Sequence, residues 1–241
     1  MRSSNPVFAS LERDRAYETV EAASYRGIVF KTFTLFLTAV VSGYIVITQF
    51  MNATNILGWL FGSMIVALIA VIVSSRSVTL AMPFAFVYAA AEGVVLAFIT
   101  ILAEAYVEGA AITALIGTAS IFMVMLFLYS SRTIRVTTRF RRVMYGILLS
   151  ILVFFILFGL LSVFGVASIM ANPTIGIGIS IFLIIFGALM LALDFDRAES
   201  IVEGGADRRY EWMVSVGLMV TLVWIYIEII RLILILSANR N

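Results

Sequence analysis

The stretch WIYIEIIRLILIL, residues 224–236, places a carboxylate and a guanidinium inside a strongly apolar run. Glu228 and Arg231 lie three residues apart, which is about one turn of a helix. With the residues before it, the run is long enough to span a bilayer. Charged side chains in hydrocarbon cost several kcal/mol, so they normally face the protein interior. The stretch therefore predicts one helix of a membrane bundle that has a polar interior.

The composition of the whole chain also indicates a membrane protein. Of 241 residues, 63% are hydrophobic and 12% are charged, and the mean hydropathy is +1.12. Seven apolar stretches approach the length of about 20 residues that a spanning helix needs. We expect an all-α integral membrane protein with one domain over residues 1–241, of which residues 1–29 form a cytoplasmic N-terminal arm. The predicted spans are residues 30–50, 56–74, 80–102, 110–130, 143–166, 174–195 and 212–236.

The basic residues predict how the chain is oriented in the lipid bilayer. Fourteen of the 16 fall in the N-terminal arm and in every second loop, and Arg240 alone falls on the opposite side. Because Lys and Arg concentrate in cytoplasmic loops, the N-terminus is predicted inside and the C-terminus outside. The run from Arg132 to Arg142 also suits a phosphate or an anionic lipid, although an ordinary topology signal explains it as well.

The absence of cysteine and histidine excludes several functional classes. Without them the chain has no Ser-His dyad, no cysteine nucleophile and no zinc site of the usual type. We therefore expect no enzyme, and we also expect no cofactor and no nucleic-acid partner. Retinal binding through the seventh span is also excluded, because the only lysine, Lys31, opens the first span. A response to pH near neutrality must then come from carboxylates.

Two spans carry polar and small residues along one helical face. In the seventh span they recur in steps of four, three, four and three residues, which keeps them on one side of a helix. In the sixth span they recur every seven residues. The residues of the seventh span are Gly217, Thr221, Trp224, Glu228 and Arg231, and those of the sixth are Ser180, Gly187 and Asp194.

Three carboxylates within the spans are candidate proton or cation sites: Asp194, Glu228 and Glu92. Oxygen ligands suit calcium, so the three acids are also a candidate calcium site if they converge. Tyr88, one turn before Glu92, and Thr221 would lie on the same ion pathway.

The structural alternative to an ion route is that each acid is neutralised or hydrogen-bonded by a neighbouring group. Arg231 would be the charge partner of Glu228, and a tyrosine or the backbone would bind Glu92. Asp194 would then lie at a helix end that is exposed to water.

Four segments resemble a known family: SNPVF at residues 4–8, FVYAAAEG at 86–93, LALDFD at 191–196 and WIYIEIIRL at 224–232. Their order and spacing are similar to those of the bacterial YccA-like branch of the Bax inhibitor 1 family, over nearly the whole chain. The resemblance implies six helices around a central seventh. It also implies a pH-sensitive calcium leak in the bacterial cytoplasmic membrane.

In that family, an aspartate late in the sixth span shares a proton with an aspartate in the seventh, and this pair gates the pore. Asp194 matches the first aspartate. Thr221 stands where the second would be, and Glu228 lies two helical turns further along the same face. The resemblance thus implies a proton-sensing gate at Asp194, with Glu228 or Glu92 in place of the missing aspartate.

We therefore expect a pH-sensitive calcium leak channel or a calcium/proton exchanger. Asp194 is its expected gate, and Glu228 and Glu92 are its expected ion sites. The alternative is a non-conducting membrane regulator that binds another membrane protein, in which the buried charges serve only fold specificity. The two functions differ in whether the acids share one water-accessible cavity.

Overall fold

The computed structural model describes residues 21–50, 56–163 and 173–239, and nearly all of these residues are helical. Seven helices in these ranges are long and apolar enough to cross a membrane, so the prediction of an all-α, seven-span protein is confirmed. The helices are α1 (Tyr25–Phe50), α2 (Ile56–Arg76), α3 (Ala81–Tyr106), α4 (Ala110–Ser130), α5 (Thr138–Val163), α6 (Pro173–Glu203) and α7 (Tyr210–Ala238).

Four helix boundaries differ by four or more residues from those expected, and two of them are the end of α3 at Tyr106 rather than at residue 102 and the start of α5 at Thr138 rather than at residue 143. Helix α1 begins at Tyr25 rather than at residue 30, and α6 continues to Glu203 rather than ending at residue 195. The added part of α6 contains several charged residues, which end a hydropathy signal without ending the helix. Residues 1–20 of the predicted arm and residues 164–166 of the predicted fifth span lie outside the described residues.

Helix α7 lies at the centre of the bundle. It packs against α1, α2, α3, α4 and α6, and Trp224 reaches a cluster that contains Met144 of α5. No residue from Glu211 to Ile235 is exposed. Five of the other helices therefore pack directly against α7, which agrees with the central position expected for the seventh helix, and most of α7 is shielded from lipid.

Small residues allow α1 and α3 to pack closely. A Cβ added to Gly43 would lie 2.9 Å from the carbonyl oxygen of Gly93. The Ser42 hydroxyl donates a 2.7 Å hydrogen bond to the Ala90 carbonyl at the same crossing. Such contacts suit helices in lipid, where close van der Waals packing and interhelical hydrogen bonds drive association.

Several basic loops and the start of α1 lie at one end of the bundle, which we call the basic end. The Ala23 amide donates a 2.8 Å hydrogen bond to the carbonyl of Ala206 in the α6–α7 loop. Arg132 in the α4–α5 loop forms an ion pair with Glu199 near the end of α6. The arginines of the two loops thus cluster at one end, as the charge pattern requires. The location of the basic end on the cytoplasmic side of the membrane stays a prediction.

Candidate ion site between α6 and α7

The polar faces predicted on the last two spans contact each other along one line, which we call the α6–α7 seam. Near the basic end, Asp194 meets Gly217 and Thr221. Further along, Gly187 lies against Trp224, and a Cβ added to Gly187 would be 3.9 Å from the Trp224 ring. Still further from the basic end, Ser180 lies beside Glu228. The seam therefore brings together the two faces that the sequence spacing had predicted separately.

Asp194 is held in the seam by a threonine of the central helix. The Thr221 hydroxyl donates a 2.6 Å hydrogen bond to Asp194 Oδ2. A Cβ added to Gly217 would lie 3.6 Å from Asp194 Oδ1, so this glycine borders the carboxylate. Because α6 continues to Glu203, Asp194 lies about 14 Å along the helix from its end. The structure thus places Asp194 within the helix and not at a solvated terminus.

Thr221 occupies the contact where the family resemblance implied a second aspartate. It is buried, at 8% exposure, and its hydroxyl also approaches the Gly217 carbonyl at 3.3 Å. Glu228 lies seven residues further along α7, or about 10 Å along the axis. That separation is too large for one proton to bridge Glu228 and Asp194. The structure therefore gives Asp194 a hydroxyl partner in place of a second carboxylate.

Glu228 lies in a separate, enclosed part of the seam. It is 9% exposed, and its Oε2 is 3.7 Å from Arg231 Nη1, beyond ordinary hydrogen-bonding distance. Ser180 is fully buried on the facing helix. Among the described residues, neither Glu228 Oε2 nor Ser180 Oγ has a hydrogen-bond partner, and Trp224 Nε1 also lacks one. Most buried polar atoms are hydrogen-bonded, so three atoms on one seam without a hydrogen bond of ordinary length are unusual.

Glu92 and Tyr88 lie on α3, away from these contacts. Tyr88 is buried in a cluster formed by α1, α2, α3 and α7, whereas Glu92 is half-buried. Within the described ranges, Glu92 forms no ion pair. No group of three or more acidic side chains in these ranges is placed to hold a metal ion. The structure therefore does not bring Asp194, Glu228 and Glu92 into one calcium site.

A buried ion pair at the basic end went unrecognised in the sequence. Lys31 Nζ of α1 is 2.7 Å from Glu211 Oε2 of α7, and their side chains are 9% and 1% exposed. Lys31 also donates a 3.0 Å hydrogen bond to the Arg208 carbonyl and lies 5.0 Å from the centre of the Trp212 ring. The pair ties the first helix to the start of the central helix.

Backbone groups near the start of α1 also contact the Glu211 carboxylate. The Ser24 amide donates a 2.7 Å hydrogen bond to Glu211 Oε1. A Cβ at Gly27 would collide with the Glu211 carboxylate, so only glycine leaves room for it there. The available sequence signal was a lone lysine in the first span and an acid opening the seventh. The contact could not be predicted because the two residues lie far apart in the sequence.

Two arginines of the basic run are bound to the extended part of α6. Arg132 and Tyr129 both donate hydrogen bonds to Glu199, and Arg141 donates one of 2.5 Å to Asp196. Arg132 has a φ of 59°, a left-handed conformation that is uncommon outside glycine. The run therefore fastens the α4–α5 loop and α5 to α6, close to Asp194.

Comparison with known proteins agrees with the resemblance found in the sequence. A family model described as Bax inhibitor 1 like matches residues 5–238. The matched range contains all seven described helices and both sides of the α6–α7 seam. Among curated proteins, none matches the chain.

Proposed function

The chain belongs to the Bax inhibitor 1 like family, and we propose that it conducts calcium or protons across a membrane in a pH-dependent way. It acts as a leak channel or as a calcium/proton exchanger. The observation that carries this proposal is the contact between Asp194 and Thr221 across the α6–α7 seam. Ionisable side chains inside membrane bundles commonly line ion pathways and proton relays.

Titration of Asp194 would change the contact between α6 and the central helix. The ionised carboxylate only accepts hydrogen bonds, and it accepts one from Thr221. The protonated carboxyl group carries a donor of its own and loses its negative charge. The seam therefore has a different hydrogen-bond pattern and charge in the two states. This difference supports the proposal that Asp194 is the gate.

The other intramembrane acids are proposed as separate stations on the route. Glu228 lies in the same seam as Asp194, further from the basic end, with Arg231 as its charge partner. Glu92 and Tyr88 lie on α3, which also packs against the central helix. Because the acids are dispersed, an ion would pass them one after another. Weak successive sites suit conduction, since an ion must leave each site as well as enter it.

Calcium flux into liposomes that contain the purified protein, measured across a range of pH, tests this function. Asp194→Asn keeps the shape of the side chain but cannot titrate, so the flux should lose most of its pH dependence. Asp196→Asn is the matched control, because Asp196 pairs with Arg141 at the surface of the bundle. Asp194 is not the gate if Asp194→Asn keeps the wild-type profile while Glu92→Gln or Glu228→Gln abolishes it.

A non-conducting regulator that binds another membrane protein is the second candidate function. The dispersed acids favour it, since Asp194 and Glu211 each have a local partner. In this case the buried charges would specify helix pairing and carry no ion. Folded protein that gives no calcium or proton flux at any pH would support the regulator and contradict conduction.

A further inference from the structure

The part of the α6–α7 seam around Glu228 has two buried oxygens, one on each helix, that lie near enough to interact but form no hydrogen bond of ordinary length. Glu228 Oε2 and Ser180 Oγ are both buried and lack hydrogen-bond partners among the described residues. The two side chains come from different helices and lie beside each other. Trp224 Nε1, one turn earlier on α7, is also unpartnered, but it is a donor and cannot bind a cation.

Close packing on either side encloses these oxygens along the seam. A Cβ added to Gly187 would lie 2.8 Å from Ile225, and one added to Gly176 would lie 3.1 Å from Ile235. Both glycines are on α6, one on each side of Ser180 in the sequence. The helices therefore approach closely on both sides of the polar position.

Arg231 is the only cationic group of the described residues that forms an ion pair with Glu228, and it holds the carboxylate loosely. Its Nη1 is 3.7 Å from Glu228 Oε2, where a charge-assisted hydrogen bond would be about 2.7–2.9 Å. Its side chain is 33% exposed, whereas that of Glu228 is 12% exposed. The guanidinium thus neutralises the carboxylate from the edge of the site without occupying the oxygen's hydrogen-bonding position.

We propose that Glu228 and Ser180 form a second cation-binding site, and that Arg231 is a tethered cation that competes with the ion for Glu228. The inference rests on the proposed function and adds the regulation of this site. A small hard cation accepts carboxylate and hydroxyl oxygens as ligands. While Arg231 neutralises Glu228, the site binds the ion weakly; when the arginine moves away, the site binds it more tightly.

Calcium binding to purified protein in detergent, measured by titration calorimetry, tests the competition. All variants carry Asp194→Asn, so that the first site does not contribute. Arg231→Gln should bind calcium at least about tenfold more tightly than the parent, because it removes a positive charge close to the ion. Adding Ser180→Ala or Glu228→Gln should abolish this gain. Arg76→Gln, at the basic end, is the matched control and should bind like the parent.

Sodium replaces calcium in a parallel titration, and a gain with either ion supports the site. An unchanged affinity for both ions in Arg231→Gln overturns it, as does a gain that survives both Ser180→Ala and Glu228→Gln.

If Arg231→Gln does not fold, Ser180→Ala is tested alone, because it leaves every charge in place. Calcium raises the melting temperature of a protein that binds it, and the Ser180→Ala variant should need a several-fold higher calcium concentration than its parent to reach half of the maximal rise. An equal concentration for the two proteins contradicts the site. Binding in detergent needs no conduction, so a failure of flux would not be mistaken for a failure of this site.

Discussion

Thr221 on the central helix donates a 2.6 Å hydrogen bond to Asp194 on α6. The contact joins the two helices at the position where the family resemblance implied a pair of aspartates. A hydroxyl does not titrate near neutral pH, so only one member of this contact can change charge. Asp194 should therefore titrate as a single group, without the coupled steps of a carboxylate pair.

Thr221→Asp should convert the single group into a coupled pair. Two carboxylates in hydrogen-bonding contact cannot both ionise freely, so their protons leave in two macroscopic steps. The pH profile of calcium flux in liposomes should change from one transition to two, or broaden markedly. Thr221→Asn, which has the same shape but does not titrate, is the control and should keep one transition. Identical profiles for the Asp and Asn variants would exclude Asp194 and residue 221 as one sensing unit.

Cysteines introduced at Ser4 and Arg240 should react with membrane-impermeant reagents from opposite sides of the membrane. The expectation rests on the seven spans and on the concentration of basic residues in alternate loops. The natural chain contains no cysteine, so the unmodified protein provides an unlabelled background. Labelling of both positions from the same side would be incompatible with seven crossings.

The sequence was sufficient to predict the spans and the two polar faces. Hydropathy identifies spans directly, because each must supply about 20 apolar residues. Spacing identified the faces, since residues three, four or seven apart share one side of a helix. Asp194 and Thr221 were both named in this way. Their hydrogen bond was not predictable, because helical spacing does not say which faces meet.

The remaining features depend on contacts between distant parts of the chain. The end of α6 was not predicted because its last residues are charged, and two of their acids are bound by Arg132 of the α4–α5 loop and Arg141 of α5. The pair of Lys31 and Glu211 joins residues near the two ends of the chain. Neither residue lies in a recognisable motif, and only the packing of α1 against α7 brings them together.

Arg231→Ala should destabilise the protein more than the double variant Glu228→Gln/Arg231→Ala. The single change leaves a buried carboxylate without its counter-charge, whereas the double change removes both charges. Because Arg231 is 33% exposed, we expect a difference of about 1–3 kcal/mol, below the range for a fully buried pair. Unfolding in detergent measures the difference. Equal losses in the two variants would show that the residues are not coupled.

Lys31→Met should cost about 3–5 kcal/mol of stability, because it strands the fully buried Glu211 carboxylate. The double variant Lys31→Met/Glu211→Gln should recover much of this loss, since no uncompensated charge remains. Denaturant titration in detergent gives both values. The ion pair between Glu21 and Arg208 lies at the same end but is 68% and 57% exposed. Arg208→Gln is therefore the matched control and should cost less than about 1 kcal/mol. A loss for Lys31→Met as small as that of Arg208→Gln, or no recovery in the double variant, would mean that the pair does not hold α1 to the central helix.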